Sequence, residues 1–216
     1  MNANVDGLLQ HPGLWRAAGT QRSKIATLPT GFAALDEKLY GHGWPAQGLV
    51  EVLVDQPGSG ELSMFLPALA RLCAADQTGG WLAWINPPYE PYAPALAQQR
   101  LDVNRLLIVR AAEPLWATEQ VLRSSGCRVV LGWVEEANGK ALRRLQLATE
   151  RSASLCLLFR PVRYCKQASP ASLRFVVHSR AGTTELQLIK IRGGRPAVVC
   201  LNLEGRSVDA HCRPDA

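Results

Sequence analysis

The sequence predicts an α/β domain: a mainly parallel sheet flanked by helices, with an antiparallel C-terminal extension. Three observations lead there. Between residues 49 and 159 apolar strand-like runs alternate with helical stretches of about ten to fifteen residues, the pattern of right-handed βαβ crossovers. From residue 173 onward the rhythm becomes strand upon strand, with a hairpin signal at Arg192-Gly-Gly-Arg195. The composition, 47% hydrophobic and 19% charged over 216 residues, suits one sizeable core.

Residues 1–26 are polar, carry Pro12 and enclose a single apolar cluster, Leu14 to Ala18, so they read as an arm or tether. Trp15 and Ala18 pair a ring with a small methyl, a combination that can fill adjacent pockets on a neighbouring subunit. The alternative is that Trp15 packs back on its own domain. Residues 27–203 form the domain. A turn at Leu28 to Gly31 feeds a short amphipathic helix with Phe32, Leu35 and Leu39 on one face, and residues 41–48 make a loop. Leu49 to Val54 is a nearly continuous apolar run, as expected of a central strand covered on both faces. After a glycine turn, a helix is predicted over 61–75, kinked by Pro67 in its middle. Strands follow at 81–85, 105–110, 127–134 and 154–159, separated by helices at 89–100, 115–125 and 138–152. A basic, proline-flanked loop spans 160–172. The last strands are expected at 173–178, 184–192 and 196–203, before a polar tail, 204–216.

The stretch from Gly48 to Phe65 has the outline of a phosphate-binding loop, strand then glycine turn then helix, and lacks its chemistry. That motif requires G-x-x-x-x-G-K-[S/T]. Gly58 and Gly60 are present, while Asp55, Glu61 and Leu62 stand where glycine, lysine and a hydroxyl belong. Each of the two carboxylates would repel a triphosphate by about 1 to 4 kcal/mol. Glu61 is better placed as an acid capping the following helix N-terminus, worth roughly 0.3 to 1 kcal/mol. Two further parts of a nucleotide hydrolase are missing. The strand 81–85 runs into Asn86-Pro-Pro88, which supplies no base, and the strand 127–134 carries Gly132 where a magnesium carboxylate is needed. Glu135 and Glu136 lie past the strand end and suit a solvated loop. His42, His178 and His211 have no nucleophile context. The expectation is a protein without catalytic residues, cofactor or metal.

The net charge of +6 and sequence pI of about 9.2 permit an anionic partner without requiring one. One candidate is the loop beginning at Phe159, where Arg160, Arg163, Lys166 and Arg174 surround Tyr164, a mixture suited to single-stranded nucleic acid. An ordinary exposed connection with its arginines paired to surface acids fits as well. Six scattered cysteines without a C-x-x-C pair suit reduced, buried thiols. The N-terminus lacks the layout of a signal peptide and no run of about 20 apolar residues occurs, so a cytoplasmic location is expected and no membrane partner.

Thr30-Gly-Phe-Ala-Ala-Leu-Asp36, the turn Gly41 to Gly48, the strand Leu49 to Val54 and the degenerate loop after it resemble the opening of the RecA core. With Glu61 to Ala70 in place of the lysine-bearing loop, the chain is similar to the ImuA and SulA branch of RecA-like proteins, and His11-Pro-Gly-Leu-Trp-Arg16 resembles the N-terminal signature of ImuA. The resemblance implies a RecA-like fold and a non-catalytic role in the SOS response to DNA damage. Its partners would be ImuB and an error-prone DNA polymerase in a translesion-synthesis mutasome. SulA-like proteins instead bind FtsZ and stop cell division. A regulator of RecA filaments, tethered through Trp15 and Ala18 as recombinase subunits are, is a further reading. Single-stranded DNA and a second copy of the chain are the remaining partners it admits.

Overall fold

The computed structural model describes residues 26–58, 60–75, 80–180 and 183–203. The predicted arm with Trp15 and Ala18, and the tail from 204, lie outside the described residues. In chain order the elements are β1 (Thr27–Leu28), α1 (Ala33–Lys38), β2 (Trp44–Pro45), β3 (Gly48–Val54), α2 (Leu66–Ala75) and β4 (Trp81–Ile85). Then come α3 (Ala93–Gln98), β5 (Leu106–Val109), α4 (Pro114–Arg123), β6 (Cys127–Trp133) and α5 (Gly139–Ser152). The chain finishes with β7 (Leu155–Pro161), β8 (Leu173–Arg180), β9 (Thr183–Ile191) and β10 (Ala197–Asn202). Eight strands form one sheet in the order β10-β9-β8-β3-β7-β6-β4-β5. From β8 to β5 every pair is parallel, and β9 and β10 extend it antiparallel. The expected α/β architecture is therefore present.

β3 is central because it can be: all seven of its residues are buried, which parallel strands with helices on both faces require. Val50, Val52 and Val54 face a core shared with α1, α2 and α3. Through that core runs a chain of rings, Trp44 on Phe65 (4.7 Å), Phe65 edge-on to Phe159 (6.1 Å), and Phe159 stacked on Trp133 (4.7 Å). Leu49 faces the second core with Leu142 and Leu145 of α5 and Ala117 and Leu122 of α4. Gly132 belongs to this packing. A Cβ there would come within 2.9 Å of the Thr118 hydroxyl on α4, so the missing side chain lets helix and strand approach closely.

Three details depart from expectation. The helix predicted from residue 61 begins only at Leu66, since Glu61 to Phe65 wind through separate turns (Ser63 N–H to Gly60 O, Phe65 N–H to Leu62 O, both 3.0 Å). Pro67 thus falls in the first helical turn, where its missing N–H has no intrahelical partner to lose, and not in the middle of the helix as expected. The prolines at 88 and 91 likewise hold back the helix expected at 89, which starts at Ala93. Thr27–Leu28 and Trp44–Pro45 pair as a small antiparallel ribbon where a loop was expected.

Candidate functional site

The parallel strands end in loops on a common side, where α/β proteins place their ligands. The loop after β3 is closed by its own side chains. Gly58 and Gly60 take φ values of +90° and +92°, conformations that glycine enters without Cβ strain. That path brings the Gly58 N–H to 2.8 Å from Glu61 Oε1, and Glu61 is only 3% exposed. A carboxylate accepting from a backbone N–H of a glycine turn does the job a phosphate oxygen does in a working loop. The role expected for Glu61, capping the next helix, is corrected accordingly, because its charge is folded back onto the turn and the helix starts at Leu66.

A second group seals the loop from outside. The Tyr89 ring lies against Gly58 so closely that a Cβ at position 58 would sit 2.5 Å from it, and the Tyr89 hydroxyl donates to Pro57 O at 3.3 Å. Tyr89 is held there by a clamped segment. Asn86, itself at φ +52°, accepts from the Ala111 N–H (2.7 Å) and donates to Ala111 O (2.8 Å). Arg110 donates to Pro87 O and pairs with Glu90 at 3.0 Å. The other carboxylate of the degenerate loop, Asp55, turns to β8, where His178 Nδ1 lies 3.2 Å from it. Leu62 stays partly buried against the main core.

The neighbouring loop, after β7, is organised from beneath. Glu51 is the one charged residue of β3, and strand register sets Arg174 of β8 beside it. Arg160 Nη1 donates to Glu51 Oε1 at 2.6 Å and Arg174 Nε lies 2.6 Å from Glu51 Oε2, all three side chains being buried. Arg160 also reaches Ala137 O (3.0 Å) and Gln167 Oε1 (2.8 Å), and Arg174 reaches Tyr164 O (3.1 Å). Of the five residues expected to form a nucleic-acid loop, Arg160 and Arg174 therefore sit inside the fold, sharing Glu51 as their counter-ion. Tyr164 is half-buried, with the Arg160 guanidinium 4.5 Å and that of Arg163 5.1 Å from its ring centre. Arg163 and Lys166 are exposed, Arg163 pairing with Glu135 at 3.0 Å. Sequence reasoning missed Glu51. Its signal was a lone carboxylate in an apolar strand, which calls for a buried cation elsewhere in the chain.

Burial, and after it the charge of Glu51, pushes the Cys156 thiol up to about 12. Cys127, Cys156 and Cys165 are free, as expected of reduced thiols, whereas Cys200 is disulfide-bonded, which departs from that expectation. Among the described residues no group of three or more His, Cys, Asp or Glu could hold a metal ion. A cavity of about 350 Å³ opens away from the closed loop, at the strand starts, among Tyr40, Gly48, Gln146 and Leu173. None of the described helices is long and apolar enough to cross a membrane.

No protein-family model matches the chain. Individual relatives do. The cell division inhibitor SulA of Edwardsiella piscicida is 31% identical over 120 residues, covering 54% of this chain and 70% of that protein. The cell division inhibitor SulA of Yersinia pestis (strain Pestoides F) is 29% identical over 119 residues, 54% and 69% of the two chains. Among solved structures, the crystal structure of SulA from Pseudomonas aeruginosa matches at a TM-score of 0.43 with 25% identity, covering 52% of this chain and 97% of that one.

Proposed function

The chain belongs to the family of the cell division inhibitor SulA, and from that premise we propose that it is a non-catalytic, cytoplasmic inhibitor of division. It acts by binding a protein of the division machinery, FtsZ being the partner that the resemblance implies. The observation that carries the reading is the closed loop. With Glu61 on the Gly58 N–H and Tyr89 packed over the turn, the place where a nucleotide would be turned over is filled by the protein itself. What remains on that side is a contact surface: Tyr89 and Tyr92 are 64% and 70% exposed, on a segment fixed by the Asn86–Ala111 and Arg110 contacts. Rigid exposed tyrosines lose little entropy on binding, which is why such rings anchor protein interfaces. The RecA-like descent of the fold is part of the same proposal, supported by the glycine turn that follows the central strand.

Expression should block septation and give filamentous cells, and immobilised chain should retain FtsZ. Tyr92→Ala should weaken that retention at least about tenfold, since a hot-spot residue costs upward of about 2 kcal/mol. Normal division on expression together with no FtsZ retention would remove the reading.

A second reading keeps the chain in translesion synthesis beside ImuB and an error-prone polymerase. What favours it is coverage, because the likeness to the SulA relative spans 54% of this chain. Retention of ImuB in place of FtsZ would select it.

A further inference from the structure

Half of the chain's formal excess charge of +6 sits on one helix: α5 carries Lys140, Arg143, Arg144 and Arg151 against Glu150 alone, a net of +3. At about 100° per residue, Lys140, Arg144, Leu147 and Arg151 fall in one sector of roughly 60°. All four are exposed, as is Arg143 at its border. Arg144 lies 3.0 Å from Glu119 of α4, which also holds Arg123 at 3.7 Å, so the two helices present a joint basic face. One turn back from that contact along each helix stand Lys140 and Trp116, the latter 58% exposed.

Arg144 bridges the two helices and Arg151, in the last turn of α5, complements the helix dipole, but folding gains nothing from Lys140 and Arg143. The first turn of α5 contains no acid, and Lys140 there opposes the helix dipole. Lys140 with Arg143 and Lys140 with Arg144 are like-charge pairs at i,i+3 and i,i+4, which destabilise a helix. Lys140, Arg143 and Arg151 have no acidic partner among the described residues. Residues that break local rules without a gain in the fold mark a site. Lys140 and Arg143 stand about one turn apart along the helix and Arg151 about two turns further on, so the three cations follow a line that a run of phosphates can track, and an exposed indole beside them adds a face for a base.

We propose that the α4–α5 face binds single-stranded nucleic acid without sequence preference, with Lys140, Arg143 and Arg151 on backbone phosphates and Trp116 stacking on a base. This places the polyanion site on the outer helices, away from the loop at 160–174, whose Arg160 and Arg174 are buried against Glu51. It stands apart from the division-inhibitor reading.

The test is fluorescence anisotropy of a labelled oligothymidylate across a salt series. The triple variant Lys140→Glu/Arg143→Glu/Arg151→Glu should bind at least about tenfold more weakly at low salt. Its slope of log affinity against log salt should flatten by about 2, three phosphates at about 0.7 each. A control with the same charge change, Arg163→Glu/Lys166→Glu/Arg195→Glu, should stay within about threefold of the parent. Trp116→Ala should lose about five-fold or more on the single strand and little on a duplex. Far-UV circular dichroism checks the fold, and Lys140→Gln/Arg143→Gln carries the same readouts if the triple variant melts. The proposal is overturned if parent chain shows no binding at low salt, if the two triple variants weaken binding equally, or if the loop variant is the weaker. Displacement by polyglutamate as readily as by unlabelled oligonucleotide would overturn it too, in favour of an acidic protein segment.

Discussion

The loops after β3 and β7 lie side by side, and each is tied down by one buried glutamate, by opposite means. Glu61 supplies a negative charge to a turn built to receive one, and satisfies the Gly58 N–H. Glu51 supplies it to two buried arginines, as the counter-ion of their side chains. In the first case the protein stands in for a ligand's charge, and in the second it removes charge from a ligand's reach. The lesson is that a basic or glycine-rich loop in sequence indicates only that an anion is wanted. Whether it comes from outside depends on what the neighbouring strands bury.

The contrast can be broken most sharply at Glu51. Glu51→Leu leaves two buried guanidinium groups without a counter-ion and should cost about 3 to 5 kcal/mol in urea unfolding. A loss below about 1 kcal/mol would mean that Arg160 and Arg174 are solvated without Glu51. The combined Glu51→Leu/Arg160→Met/Arg174→Met should recover much of the loss, because a buried triad replaced whole by apolar groups is often tolerated.

Glu61→Ala is the next test. It removes a charge-assisted hydrogen bond and should cost about 1.5 to 3 kcal/mol by the same measurement. It also uncovers the Gly58 N–H, so added inorganic phosphate should raise the melting temperature of the variant and not of the parent. No response to phosphate would show that the carboxylate does not occupy an anion's place.

The smallest effect is alkaline. The Cys156 thiol is pushed from 9.0 to about 12, so the folded chain keeps a proton that the unfolded chain releases. Stability from this group is complete below pH 9 and is lost as pH rises towards 12; at pH 10 the loss is about 1 kcal/mol. Thermal melts of parent and Cys156→Ala from pH 8 to about 10.5 should diverge in slope, the variant falling less steeply. Equal slopes would exclude the buried thiol as the source.

Most of the fold was legible because its signals are local. Alternating apolar runs gave the parallel strands, and Arg192-Gly-Gly-Arg195 gave the final hairpin. What escaped depends on pairing across long stretches of chain. Glu51 meets Arg160 over 109 residues, and nothing near either residue announces the other. Proline-flanked basic residues look like a solvated loop until register sets Arg174 beside Glu51. The late start of α2 has a different cause: Leu62 and Phe65 satisfy helical spacing while Gly60 sends the backbone through turns first.

The strand order has a consequence for how the protein is made. β3 is flanked by β7 and β8, so both of its partners leave the ribosome long after it does. At about 5 to 20 residues per second, β3 waits several seconds for each of them. Until then an all-apolar strand would be an edge open to any other chain. The carboxylate of Glu51 makes that edge costly to bury for a stranger lacking two arginines. The residue that locks the finished sheet thus also guards the nascent one.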